Sequence, residues 1–235
     1  MTVAHDNVTE SAVWTTTPDP FKFNHIPVGT PKGIMVFIMH RTSNSDQITA
    51  VTYGGVSMAR IQTAALGGGE QGRSYVYFVG ASIPTGEQTV SIDHTATTND
   101  KMAFCVSVTA AADTSVIDSD IVQAVQTNPQ VTLDSGADSA LSYCGIWTGL
   151  PAPTDLTVIT GMTNLGAGAQ GDFGPNATRV DRETSVSTGT FTIGYTGGSD
   201  EQCLVALAIK EEAVAAAASF LPLSRHRAFA GLIVR

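Results

Sequence analysis

The feature that most constrains the fold is a short apolar run at residues 34–39, with the sequence IMVFIM. Pro31 and Gly33 precede the run, and a polar segment at residues 41–46 follows it. A run this short, apolar on both faces and flanked by chain breakers, is typical of a strand buried between two layers. We therefore expect an internal strand around which the rest of the chain is arranged.

A hairpin signal follows directly. Two β-rich segments, residues 47–53 and 56–61, are joined by Gly54 and Gly55. A type I′ turn needs a positive φ at both central residues, and glycine adopts that conformation without steric cost. The pattern predicts an antiparallel hairpin beside the internal strand.

The rest of the chain repeats short strand patterns between turn residues. Residues 21–26 alternate, with Phe21, Phe23 and His25 on one face. Another strand is predicted at 101–109, with one face formed by Met102, Phe104, Val106 and Val108. Short strands separated by Gly, Pro, Asn and Asp predict an all-β protein, a two-sheet antiparallel β-sandwich of the jelly-roll-like kind. No amphipathic helix of ordinary length precedes residue 210, which disfavours an α/β fold.

The predicted organisation has three parts: an N-terminal arm and first strand at residues 1–17, a β-sandwich domain at 18–210, and a C-terminal tail at 211–235. Within the first part, residues 1–11 form the arm and the strand lies at 12–17. Segments 110–128 and 164–176 are expected to be short edge strands and a glycine-rich loop.

The amino-acid composition limits the classes of molecule that the chain is expected to bind. The net charge of −9 repels phosphate backbones, so we expect no nucleic-acid partner for the body. The N-terminus has no signal-peptide pattern, and no apolar run is long enough to span a bilayer. The sequence thus predicts synthesis in a cytoplasm and no membrane partner.

Residues with chemical potential give little sign of an active site. Cys105, Cys144 and Cys203 lie far apart in apolar strand-like runs, which favours buried free thiols and leaves a disulfide between two of them as the alternative. No zinc-type cysteine pair is present. Ser57 nearly fits a nucleophile elbow, but it lies in a predicted hairpin strand rather than before a helix. We expect no enzyme activity, no metal and no cofactor.

Two further clusters carry alternatives. Asp113, Asp118 and Asp120 offer oxygen ligands that suit calcium, but their spacing does not match an EF-hand, and a solvated acidic loop is preferred. The candidates for glycan stacking are Tyr75, Tyr77 and Trp147, provided that they face one exposed groove. The opposing interpretation places these rings in the core.

Four segments together resemble a recurrent β-sandwich domain of tailed-phage virion structural proteins, also found in some bacterial surface proteins. They are PFKFNHIPVGTPKG at 20–33, VTYGGVSM at 51–58, YVYF at 75–78 and IPTG at 83–86. The resemblance covers about residues 18–210 and rests on turns and core strands, so it brings no catalytic residues. It implies a bacteriophage structural protein that decorates the capsid or belongs to a tail or fibre appendage. Such a protein is made in the host cytoplasm, resides in the virion, forms homo-oligomers and contacts other virion proteins. The alternative is a glycan-binding module for host recognition.

The tail differs from the body in the sign of its net charge and in its high content of apolar residues. Residues 213–235 contain Arg225, Arg227 and Arg235 and no acidic residue. Its predicted assembly contacts are Phe220, Leu221, Leu223, Phe229, Leu232, Ile233 and Val234. We expect so apolar a tail to pack on a neighbouring subunit, with packing on its own body or disorder as the alternatives.

Overall fold

The computed structural model describes residues 2–12, 19–41, 44–66, 71–95, 101–126, 128–149, 156–168, 177–197 and 200–212. Every regular element within these residues is a β-strand, and the sheets are antiparallel. The predicted all-β class is confirmed. Among the same residues there is no helix with the length and apolarity that a membrane-spanning segment requires.

The first half of the chain contains nine strands in two sheets. They are β1 (Ala4–Glu10), β2 (Phe21–His25), β3 (Gly33–Arg41), β4 (Ile48–Tyr53), β5 (Val56–Ser57), β6 (Ala59–Ala65), β7 (Gly72–Val79), β8 (Gln88–His94) and β9 (Lys101–Thr109). The larger sheet has the order β1-β9-β3-β7-β6, and the smaller has the order β2-β8-β4-β5. We call these the first inner sheet and the first outer sheet.

The second half contains eight strands, also in two sheets. They are β10 (Thr114–Gln126), β11 (Gln130–Asp134), β12 (Ala140–Thr148), β13 (Thr157–Val158), β14 (Met162–Gly168), β15 (Ala177–Glu183), β16 (Thr190–Thr196) and β17 (Asp200–Glu211). The second inner sheet has the order β10-β17-β12-β15-β14, and the second outer sheet has the order β11-β16-β13. The described residues thus form four sheets, where the sequence predicted two.

The four sheets stack in layers with the two inner sheets in the middle. A central core joins side chains of both inner sheets, including Phe37 of β3 and Tyr143 of β12. A first outer core lies between the inner and outer sheets of the first half, and a second outer core lies between those of the second half. Each inner sheet is consequently covered on both faces.

Strand β3 shows why its sequence is apolar on both faces. Its residues 34–39 are all fully buried. Ile34, Val36 and Ile38 belong to the first outer core, while Met35, Phe37 and Met39 belong to the central core. Successive strand side chains point to opposite faces, so a strand between two cores needs an apolar residue at every position. The predicted internal strand is confirmed.

The Gly54-Gly55 hairpin is confirmed, but its place in the fold differs from the prediction. Gly54 and Gly55 have φ values of 54° and 83°, and Tyr53 pairs with Val56 across the turn. The hairpin lies in the first outer sheet, over β3 rather than beside it. Both edges of β3 are already paired, with β7 and β9, so the hairpin cannot add to the same sheet. After Met58 the chain crosses to the first inner sheet as β6.

The two halves repeat one strand arrangement. Eight strands of the first half correspond in order to β10 to β17 when β5 is left out. With this correspondence the two inner sheets have the same strand order. The two outer sheets also have the same order, except that β5 has no counterpart in the second half. Two of the register shifts also coincide. Strands β1 and β10 are each shifted near their start, and β6 and β14 are shifted at Ile61 and Leu165, which both pack on the central core. The chain is therefore a tandem repeat at the level of topology.

Three predicted boundaries are wrong. Residues 4–10 form β1 rather than an arm, while the strand predicted at 12–17 falls on residues of which 13–17 lie outside the described part of the chain. Although polar, β1 pairs with the edge of β9 and is only partly buried, so it needs no apolar pattern. Residues 110–128 do not form separate short strands, because β10 pairs with β17 along its whole length. Residues 164–168 belong to β14 rather than to a loop.

The loop predicted at residues 164–168 is wrong because the glycines of this segment were interpreted as loop formers. A Cβ on Gly166 would lie 2.8 Å from the Phe104 ring. The missing side chain therefore lets β14 approach β9 of the other half closely. Packing, not turn formation, explains this glycine.

Candidate functional site

The three candidate stacking aromatics lie in the cores. Tyr75 and Trp147 are fully buried, and Tyr77 is 3% exposed. Tyr75 and Tyr77 project into the first outer core, and Trp147 projects into the central core. No exposed stacking groove is formed by these rings, because strand alternation directs them between layers. The prediction that they stack on glycans is corrected accordingly.

The cysteines are buried free thiols, as predicted. Cys105 lies in the first outer core, Cys144 in the second and Cys203 in the central core, so different layers separate them. Burial raises the pKa of the Cys203 thiol to about 12, and it raises the pKa of Cys105 and Cys144 as well. These thiols are protonated at neutral pH and are poor nucleophiles.

Asp118, one of the acidic residues considered for calcium, accepts hydrogen bonds from the backbone. Asp118 lies in β10, where its carboxylate accepts hydrogen bonds from the Ser119 and Asp134 backbone N–H groups, at 2.8 and 2.7 Å. Across the described ranges, no three His, Cys, Asp or Glu side chains are grouped in a way that could hold a metal ion.

A buried polar network occupies the second half. The Asp181 carboxylate has no exposed surface and accepts two hydrogen bonds from Arg179, at 2.8 and 3.0 Å. The Tyr195 hydroxyl donates to the same carboxylate at 2.7 Å. Burial raises the pKa of Asp181, against the opposing effect of these donors. We call Arg179, Asp181 and Tyr195 the Asp181 network; its groups are directed at one another and not at solvent.

A rigid apolar loop lies at the surface of the first half. Ile26 is 54% exposed and Val28 is 81% exposed, and they are the large apolar side chains that the described residues leave exposed. The Asp6 carboxylate accepts from the Val28 and Gly29 backbone N–H groups at 3.1 and 2.8 Å. The Asn7 amide also donates to the Ile26 carbonyl at 2.7 Å. Hydrogen bonds from β1 therefore hold two apolar side chains in water, a feature that we call the Ile26–Val28 loop.

The last described residue, Glu212, is linked to the segment that follows this loop. The Glu212 backbone N–H donates to the Asp113 carbonyl at 2.8 Å, and the Asp113 carboxylate is 3.4 Å from the Lys32 ammonium group. Lys32 is four residues after Val28 in the chain. The seven predicted assembly residues of the tail lie outside the described residues.

A cleft of about 570 Å³ lies between the first outer sheet and β6. The buried side chains of Ile48, Val51 and Met58 form an apolar floor. Asp46 and Arg60 are the charged lining residues, and they form an ion pair. We call this the β4–β6 cleft. Ser57 also lines it, and the described lining residues include no histidine or cysteine.

Tyr77 also lines the cleft, although only 3% of the residue is exposed. The hydroxyl donates to the Ile48 carbonyl at 3.4 Å. Burial raises the pKa of Tyr77 to about 12, although the nearby Arg60 guanidinium opposes the shift. The hydroxyl is therefore neutral at physiological pH and can both donate and accept a hydrogen bond.

Comparison with protein-family models, with curated proteins and with solved structures found no match for this chain. The function must therefore be inferred from the chain itself. The sequence analysis missed the Ile26–Val28 loop, although two β-branched residues beside Pro27 in a turn segment are a readable signal. It also missed Asp46 and Arg60, which no motif marks.

Proposed function

We propose that the chain is a structural protein of a bacteriophage virion, a capsid-decorating protein or a tail or fibre component. It would assemble as a homo-oligomer and contact other virion proteins through its terminal segments. The resemblance of residues 18–210 to virion β-sandwich domains supports this role. The eight-strand order of each half is compatible with a jelly roll, a fold used in viral capsids.

The observation that carries the proposal is the exposed Ile26–Val28 loop. Exposed apolar side chains that lie together mark surfaces at which proteins interact. Here hydrogen bonds from Asp6 and Asn7 hold the pair in place. A prearranged surface loses little conformational entropy on binding, which favours association. The loop and the tail would form one assembly surface, with each subunit's tail packing on its neighbour.

The distribution of charge supports contact between the tail of one subunit and the body of another. The chain has a net charge of −9, while residues 213–235 contain arginines and no acidic residue. A cationic apolar tail is attracted to the acidic body of another copy and buries apolar area against it. We therefore expect the tail to pack on a neighbouring subunit.

Deletion of residues 213–235 tests the proposal. We expect the truncated protein to unfold cooperatively at nearly the wild-type temperature but to lose its oligomeric mass in light scattering and to fail to enter particles. A finer variant replaces Phe229 and Leu232 with serine, and replacement of His226 in the same tail serves as the control. Normal assembly of the truncated protein would refute the role of the tail.

A loop variant tests the second part of the surface. Val28→Ser removes an aliphatic side chain that contributes about 1.5–3 kcal/mol when fully buried. Each subunit contact should weaken by roughly tenfold or more. Thr132→Val, at another exposed strand position, is the control. If Val28→Ser assembles with wild-type affinity, the loop is not part of the assembly surface.

A further inference from the structure

The β4–β6 cleft is lined by both apolar and polar residues. It combines an apolar floor with the Asp46–Arg60 pair, the Tyr77 hydroxyl and the exposed side chains of Thr49 and Ser57. Small-molecule sites of this size are typically apolar with a few converging polar groups. The lining of the cleft therefore resembles that of a small-molecule site.

The charges of the cleft narrow the ligand class. Asp46 opposes an anion and Arg60 opposes a cation, and the two neutralise each other. Together they offer carboxylate acceptors and guanidinium donors side by side, with a neutral phenol at Tyr77 that can do both. A neutral ligand that carries many hydroxyl groups satisfies all three groups at once. The apolar floor suits the C–H face of a sugar ring.

The second half gives an internal comparison. Arg60 pairs with Tyr77 directly before the register shift of β6, and Asn164 pairs with Asp181 directly before the matching shift of β14. At the position that matches Tyr77, the Asp181 carboxylate is occupied by Arg179 and Tyr195 of the same chain. In the second half, the side chains of Arg179 and Tyr195 satisfy this polar position. In the first half, Tyr77 is also buried and donates to the Ile48 carbonyl, but it lines the β4–β6 cleft. Among the described residues, the two copies thus differ in the presence of a cleft beside this position.

We propose that the β4–β6 cleft binds a neutral oligosaccharide through Asp46, Arg60 and Tyr77. Of the three aromatics considered from the sequence, only Tyr77 is among the lining residues of this cleft. The site does not depend on the assembly role, because the Ile26–Val28 loop is not among the lining residues of the cleft.

Saturation-transfer NMR on the full chain tests the site. The neutral probes are maltotriose, cellotriose, lactose and chitotriose at millimolar concentration, and sialyllactose is the anionic comparison. Ala50→Trp places a large ring in the cleft from an exposed position and should abolish the signal. Arg60→Met removes charge-assisted hydrogen bonds and should weaken binding by about tenfold or more. Tyr77→Phe removes only a hydroxyl and should weaken binding less.

Ala137→Trp is the matched control, because Ala137 is exposed in a turn of the second half. It should bind the probe like the wild type, and all variants should keep the wild-type oligomeric mass. A neutral probe whose signal is lost in Ala50→Trp and kept in Ala137→Trp supports the proposal. The proposal is overturned if no neutral probe binds, if sialyllactose binds in preference, or if Ala50→Trp leaves binding unchanged.

Discussion

Replacing Gly145 with alanine would add a methyl group where the two inner sheets meet. Gly145 lies on β12 of the second half, and an added Cβ would lie 2.6 Å from Phe37 Cδ1 and 2.7 Å from Met39 Cε, both on β3 of the first half. The end of the Met39 side chain can move aside. The Phe37 ring is fully buried between layers and has little room to do so.

The magnitude follows from two opposing effects. Overpacking a well-packed core costs about 1–3 kcal/mol. Exchange of glycine for alanine stabilises by about 0.4–1 kcal/mol through the unfolded chain. We expect a net loss of about 1–2 kcal/mol in the free energy of unfolding. For a protein of this size, the melting temperature should fall by about 2–8 °C.

Urea unfolding and calorimetry measure this loss, and a double mutant gives the control. Phe37→Leu removes ring atoms that the new methyl would meet. The double variant should be more stable than the sum of the single effects predicts, by about 0.5 kcal/mol or more. Wild-type stability of Gly145→Ala, or strict additivity with Phe37→Leu, would refute the face-to-face packing of the two halves.

Two further predictions concern buried charge. Asp181→Asn leaves the Arg179 guanidinium without its carboxylate and should destabilise the protein by about 3–5 kcal/mol in urea unfolding; Asp138→Asn, in the exposed Asp138–Lys210 pair, is the control and should cost less than about 1 kcal/mol. Equal effects of the two variants would show that the Asp181 network is not a buried pair. Burial lowers the pKa of His25 and of His40 to about 4, so the unfolded chain binds protons that the folded chain does not, and stability should fall as the pH drops from about 6.5 to 4. The slope in that window should be shallower for His40→Gln in pH-dependent urea unfolding, and an unchanged slope would mean that His40 is not the group responsible.

Much of the strand pattern was predictable from the sequence. The internal strand at 34–39, the Gly54-Gly55 turn and the shared face of Met102, Phe104, Val106 and Val108 are all confirmed. Each depends on a local property: the alternation of side chains along an extended backbone, or the ability of glycine to adopt positive φ. The burial of the free cysteines followed from the same local apolar context.

The candidate sites were much less predictable. Tyr75 and Tyr77 could face a groove or a core, and alternation places them on one side of the strand without saying what covers that side. Arg60 and Asp46 are fourteen residues apart and meet only because the chain crosses from the outer to the inner sheet after Met58. The role of the tail residues stays a prediction.

The sequence by itself determined that this chain forms short antiparallel strands, some of them apolar on both faces, because the alternation of side chains is set by the backbone of each strand. Only the tertiary structure decided that the strands form four layers in two topologically matching halves. It also decided that Asp181 is closed off in one half while the β4–β6 cleft is open in the other. These features arise from contacts between residues far apart in the chain, and no local pattern specifies which of two apolar faces will meet which partner.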